Sequence, residues 1–214
     1  MTRKIPLNYR NITGSVRSVK SDNYTDYESG LERDAFILVE FDTNVSQFKA
    51  QPRTFYYVKD GKKRRYTPDV LVEYKNGQRL YIEIKYRDDL KNDWKKLKPK
   101  FKAAIHELKK EPNTRFKIWT EVEIRNQYFE NAKYLLPFKN KPINNAHVAV
   151  ILKVVNSLAE TTPADLLDIC SSNITLRAEI LHTLWGCLAR GMLKIDMLKP
   201  ITMNSPIWLT TPQT

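Results

Sequence analysis

Two short segments carry the residue types that phosphodiester hydrolysis requires: Pro68-Asp69 and, fourteen residues on, Glu83-Ile84-Lys85. A hard divalent cation takes oxygen ligands, usually one or two carboxylates with water and phosphate filling the rest. Such an ion lowers the pKa of a bound water and offsets charge on the transition state. A nearby lysine can position or deprotonate the attacking water, or stabilise the charge that develops. Asp69 and Glu83 are therefore candidate ligands for Mg²⁺, with Mn²⁺ as an alternative, and Lys85 is the candidate catalytic lysine. As a bare pattern, an Asp followed by Glu-x-Lys also describes a solvated strand face with a charge pair. The elements that carry the residues must decide between the two.

Those elements read as a hairpin. Arg64 to Tyr74 is one strand, broken by Pro68; Asn76-Gly77 marks a turn, and Arg79 to Tyr86 returns. Glu83 and Lys85 are two apart in a strand and so share a face. Leu80, Ile82 and Ile84 match Val70 and Val72 on the other. A two-residue loop would set Asp69 opposite Ile84 and mix the faces. A three-residue loop over 76–78 pairs Val70 with Ile84, Val72 with Ile82 and Asp69 with Lys85, with Glu83 diagonal. The parity of the apolar pattern thus requires an odd loop or a bulge.

A further acid is expected from the preceding helix. Thr25-Asp26-Tyr27-Glu28 has capping-box spacing, which predicts a helix from about Asp26 to about Glu40. Glu28 and Glu32 lie one turn apart on nearly the same face. Glu28 is accounted for as the capping partner, which leaves Glu32 as the better metal-site candidate.

The remaining pattern defines two domains. Phe55 to Lys59 is a strand that ends in an Asp60-Gly61 turn, Leu90 to Lys110 is a Lys-rich amphipathic helix, and Arg115 to Thr120 is a further strand. A helix, a run of strands, then helix and strand implies a mixed sheet flanked by helices. The segment Pro137–Asn145 reads as a linker, which sets domains at 1–140 and 141–214. In the second, helices are predicted over Ala146 to Glu160, from Thr162-Pro163 onward, and over Leu176 to Arg190. Short strands follow over Met192 to Leu198 and Ile207 to Thr210, the order of a winged helix.

Net charge is +12 over 214 residues. From Lys141 onward six basic residues face five acids, so the first 140 residues hold +11 and the rest +1. A basic nuclease-sized domain suits a polyanion, because each Lys or Arg set on a phosphate releases counterions. Lys95, Lys96, Lys98 and Lys102 on the Lys-rich helix are candidate DNA contacts, a solvated helix face being the alternative. The near-neutral second domain suits a protein partner, since its third helix carries only Arg177 and Arg190. Cys170 and Cys187 match no metal-ligand spacing and read as reduced core residues. The first residues are polar and basic, and no apolar span appears, so neither export nor membrane insertion is expected.

The block Glu28-Ser29-Gly30-Leu31-Glu32-Arg33-Asp34, with Glu40-Phe41-Asp42, Val45, Gln51-Pro52, Tyr66-Thr67-Pro68-Asp69 and Glu83-Ile84-Lys85, resembles the N-terminal nuclease domain of the TnsA family. That family supplies the endonuclease subunit of Tn7-like transposons and has the PD-(D/E)xK, restriction-endonuclease-like fold. The resemblance spans roughly residues 15–135 and implies that Glu32 is the helix acid, Asp69 the central metal ligand and Lys85 the catalytic lysine. Glu83 stands where some members carry Gln, and the Ile84 carbonyl would be a further metal ligand. It also implies a bacterial, cytoplasmic enzyme that cuts the 5′ strands at transposon ends. A TnsB-like DDE transposase would handle the 3′ ends, and a TnsC-like AAA+ regulator would be bound through the C-terminal domain. Two alternatives stay open: a repair or junction nuclease with the same catalytic residues, and a DNA-binding module whose acids are structural.

Overall fold

The computed structural model describes residues 13–21 and 24–210; the polar N-terminal residues lie outside that range. The chain divides into two compact units, with the boundary between Arg125 and Asn126.

In the first unit, β1 (Gly14–Arg17) pairs antiparallel with β2 (Tyr24–Tyr27), and α1 (Gly30–Phe41) follows. The helix begins four residues later than the Thr25 box predicts. Ser29 is the N-cap and accepts from the backbone N–H of Glu32. The reason is packing: starting at Gly30 puts Leu31, Ala35, Phe36 and Val39 in one buried stripe, while Tyr24–Tyr27 is consumed by strand pairing. Glu32 consequently takes over the capping contact expected of Glu28, its carboxylate accepting from the Glu28 N–H at 2.8 Å.

Next come β3 (Val45–Ala50), a hairpin of β4 (Phe55–Lys59) and β5 (Lys62–Tyr66), β6 (Val70–Tyr74), β7 (Arg79–Ile84), α2 (Arg87–Leu108), β8 (Thr114–Trp119) and the short α3 (Glu121–Ile124). Pro68 separates β5 from β6, so the expected single strand over 64–74 is two strands in different sheets. The main sheet has the order β3-β6-β7-β8 and is mixed: β6 runs antiparallel to both neighbours, while β7 and β8 run parallel, joined by the α2 crossover.

Strand parity gives each face its own core. Val70, Val72, Leu80, Ile82 and Ile84 meet Leu31, Ala35, Phe36 and Val39 of α1 on one side. Leu71 and Tyr81 meet Leu97, Phe101, Ala104 and Leu108 of α2 on the other, together with Phe55 and Tyr66 from the hairpin.

The loop between β6 and β7 is odd, as parity demands, but the register differs by two residues from the expected one. Val70 faces Ile82 and Val72 faces Leu80, rather than Ile84 and Ile82. The loop is Lys75-Asn76-Gly77, closed by Gly77 N–H to Tyr74 C=O at 2.9 Å and Tyr74 N–H to Gln78 C=O at 2.8 Å. Gly77 has φ of +80°, the left-handed position that ends a three-residue hairpin loop. That backbone requirement fixes Gly77 as the last loop residue. The same register, continued one step, sets Asp69 across from Glu83 rather than Lys85.

The second unit opens with α4 (Gln127–Lys139), capped by Asn126, whose side chain accepts from Phe129 N–H at 3.1 Å. The boundary therefore lies near residue 125, not near residue 140. The proline-flanked stretch that resembles a linker includes the last turn of α4, with Pro137 inside the helix. This turn is held by Tyr134 edge-on to Trp185 at 5.7 Å and by Phe138 against His182 at 5.5 Å. With the boundary moved, the 126–140 stretch carries two lysines and one glutamate, so the split becomes +10 and +2. Then follow α5 (Asn145–Leu158), β9 (Glu160–Thr161), α6 (Pro163–Cys170), α7 (Ile174–Ala189), β10 (Leu193–Ile195) and β11 (Ile207–Leu209). The three strands form one small sheet in the order β10-β11-β9. Both cysteines are free, Cys187 buried and Cys170 half-buried. Among the described residues no helix is long and apolar enough to cross a membrane.

Candidate active site

On the α2-facing side of the sheet, the apolar run of Leu71 and Tyr81 stops one residue pair short of the strand ends. The next positions on that face are Asp69, just before β6, and Glu83, followed by Lys85. Acids and lysine thus stand where the core gives out. Asp69 takes the backbone N–H of Ile84 onto its Oδ2 at 2.6 Å, which locks the carboxylate against the neighbouring strand. Its own carbonyl accepts from Gln51 N–H at 2.8 Å.

Glu32 reaches the same site from the first turn of α1, and the charges of Glu83, Glu32 and Lys85 all act on Asp69. Burial pushes the Asp69 carboxyl well above the usual range, and the negative charges of Glu83 and Glu32 push it further. The Ile84 N–H and the Lys85 ammonium act against them. Glu32 is also raised, chiefly by burial and in part by Glu28, while its hydrogen bonds and Lys85 oppose the shift. The structure therefore brings Glu32, Asp69, Glu83 and Lys85 together, and the charge of Lys85 opposes the upward shifts of Asp69 and Glu32.

A pH-dependent stability follows. A carboxyl raised on folding favours the folded state below its unfolded pKa of about 3.9, and that contribution fades as pH climbs through the higher folded value. Asp69→Asn keeps an acceptor for Ile84 and removes the repulsion. In metal-free buffer the variant is expected to melt above wild type at neutral pH, with the gap closing below about pH 4. Thermal scans across pH check this.

Glu83 is 2% exposed and fully engaged. Tyr66 donates its hydroxyl to Oε2 at 2.7 Å, and the Lys100 ammonium from α2 meets Oε1 at 2.9 Å. Lys100 also lies 4.5 Å from the centre of the Tyr66 ring. Tyr66 and Lys100 are site residues that the sequence did not place beside the acids; Lys100 counts there only as one more lysine of a stretch suited to DNA. In the sequence Lys100 is one of eight lysines between Lys91 and Lys110, and only the 3.6-residue period from the buried Leu97 and Phe101 marks it as facing inward. Gln51 is a third. Its φ of +45° is left-handed, its N–H holds Asp69, and its side chain donates to Glu28 at 3.3 Å. Strain of this kind in a non-glycine residue is held by its surroundings and clusters at functional sites. By contrast, Lys95, Lys96, Lys98 and Lys102 are all exposed on the outer side of α2, away from the Glu83 pair.

Among the described residues no three His, Cys, Asp or Glu side chains are grouped closely enough to hold a metal ion. Zn²⁺ favours three or four such protein ligands. The donor set here is oxygen-only: two facing carboxylates, Asp69 and Glu83, with backbone carbonyls beside them. That set fits Mg²⁺, which keeps several waters and takes one or two carboxylates. The crowding of negative charge on Asp69 is what a cation would relieve.

Residues 42–121 match the family model described as the TnsA-like endonuclease N-terminal domain. The matched segment contains Asp69, Glu83, Ile84 and Lys85 and begins after Glu32. No curated protein matches the chain.

Proposed function

We propose, from the match of residues 42–121 to the TnsA-like endonuclease N-terminal model, that the chain is a Mg²⁺-dependent DNA endonuclease that cuts the 5′ strands at transposon ends. A separate DDE transposase would process the 3′ strands. The observation that carries this is the meeting of Asp69, Glu83, Glu32 and Lys85 at one end of the sheet, with Asp69 held above its usual pKa by burial and the neighbouring acids.

Asp69 and Glu83 would hold the ion, with the Ile84 carbonyl as a further oxygen and Glu32 at the margin. When bound, the ion supplies an acidic water and offsets charge on the reacting phosphate. Lys85 orients the attacking water or stabilises the charge that develops. Ile84 N–H keeps Asp69 aimed, and Tyr66 and Lys100 keep Glu83 in place. The exposed Lys95, Lys96, Lys98 and Lys102 are offered as contacts to the DNA backbone. The second unit has four helices, α4 to α7, a small three-stranded sheet and a net charge of +2, and we read it as a winged-helix-like domain for a protein partner such as an AAA+ regulator.

A second reading has support of its own: Glu83 is already satisfied by Tyr66 and Lys100, as a purely structural acid would be. A metal titration separates the two. At ten times its Kd, an ion bound only by the folded state adds about 1.4 kcal/mol, or roughly 3–6 °C in a domain of this size. Mg²⁺ is expected to raise the melting temperature of wild type by that order and to leave Asp69→Ala unmoved. Equal response in both proteins would favour the structural reading.

A further inference from the structure

The hairpin β4–β5 has no place in the catalytic mechanism beyond Tyr66, yet its exposed surface is strongly basic. Residues 59–66 read Lys-Asp-Gly-Lys-Lys-Arg-Arg-Tyr, five cations against one acid. Lys62, Lys63, Arg64 and Arg65 are all exposed. None of the ion pairs among the described residues uses them, whereas Arg33, Arg53, Arg79 and Arg125 each meet an acid. At the tip Lys59 faces Lys62 directly, a like-charge pair that destabilises the ribbon. The fold bears this repulsion without internal compensation.

The register sorts the two faces. Phe55 and Tyr66 point into the core and meet Tyr81 and Phe101 edge-on against α2. The opposite face carries Tyr56, Val58, Lys63 and Arg65 as cross-strand neighbours. Tyr56 is 61% and Val58 72% exposed, and the Lys63 ammonium lies 4.7 Å from the centre of the Tyr56 ring. This face is thus firmly backed, outward-looking and cationic, with an aromatic ring among the charges. It also leads into the candidate active site. Arg65, Thr67 and Asp69 line one groove of about 650 Å³, together with Gln51 and Thr54. Arg65 precedes Asp69 by four residues, roughly 13 Å of extended chain.

Resting on the nuclease reading, we propose that the β4–β5 ribbon docks on duplex DNA through Lys63, Arg65 and Tyr56 and guides a strand along the groove to Asp69. A two-stranded ribbon is of a size that the major groove admits, and cations without acid partners are free to replace phosphate counterions. The ribbon would act independently of the lysines on the outer side of α2.

The test is duplex binding by the full chain in metal-free buffer, read by fluorescence anisotropy from 50 to 200 mM salt. Lys63→Gln/Arg65→Gln alters only exposed side chains and should melt with wild type. Each lost phosphate contact lowers the slope of log K against log salt by about 0.9. The double variant should therefore lose about 2 units of slope and bind roughly 10- to 100-fold more weakly at low salt. Lys95→Gln/Lys98→Gln is the comparator. An unchanged slope in the ribbon variant, or a wild-type chain that binds anionic vesicles but not duplex, overturns the proposal. Cutting that depends on Asp69 while the ribbon variant binds normally removes the ribbon alone. A reduced slope with cutting that ignores Asp69 removes the nuclease reading alone.

Discussion

Lys100→Met is expected to destabilise the first unit by about 3 kcal/mol, although it removes a charged residue from a helix already rich in lysine. Breaking a buried ion pair by deleting one partner costs about 3–5 kcal/mol, because the other charge stays behind without compensation. Here that charge is Glu83, 2% exposed, with only the Tyr66 hydroxyl left to satisfy it. The lower end of the range applies because the Lys100 side chain is 19% exposed. The reverse deletion is not equivalent. Glu83→Gln keeps an acceptor for Tyr66, and the released ammonium can reach solvent, so its cost is expected to be about 1 kcal/mol. At about 2–4 °C per kcal/mol, Lys100→Met should melt 6–12 °C below wild type and Glu83→Gln only a few degrees below. Chemical denaturation of both variants checks the asymmetry. Mg²⁺ should restore part of the loss in Lys100→Met, since a cation on Glu83 replaces the missing ammonium.

The sequence exposed the parts of this site that depend on period and missed those that depend on packing. Alternation in Val70, Val72, Leu80, Ile82 and Ile84 is enough to put Asp69, Glu83 and Lys85 together on one face and to demand an odd loop. It is not enough to choose between two odd loops, since a shift of two residues preserves every face. Turn chemistry made that choice, through the left-handed φ of Gly77. Helix α1 shows a similar limit. The Thr25-to-Glu28 spacing is local and carries no information on which start buries the apolar stripe. The buried stripe from Leu31 to Val39 selects Ser29, and with it the roles of Glu28 and Glu32. Tyr66 and Lys100 were hidden for a different reason. Each is ordinary in its own segment, and only the packing of α2 over the hairpin brings both to Glu83. The domain boundary moved because prolines read as a linker where tertiary contacts to Trp185 and His182 hold a helix together.

Asp69→Ala carries the largest functional effect. The substitution removes the carboxylate that faces Glu83 and takes the Ile84 N–H, and with it one of the two carboxylates proposed to hold the metal. Electrostatic stabilisation by a bound ion is worth several kcal/mol, and each ~1.4 kcal/mol is a tenfold change in rate. Cutting should fall by on the order of 10³-fold, while the fold persists because Asp69 keeps a solvent-facing edge and its loss relieves like-charge crowding. The direct measurement is strand-resolved cleavage of labelled transposon-end DNA by the chain reconstituted with the proposed transposase and regulator, wild type against Asp69→Ala. In the variant 5′-strand cutting is expected to disappear while 3′-end cutting and joining continue. Equal cutting of both strands by the two proteins would contradict that expectation.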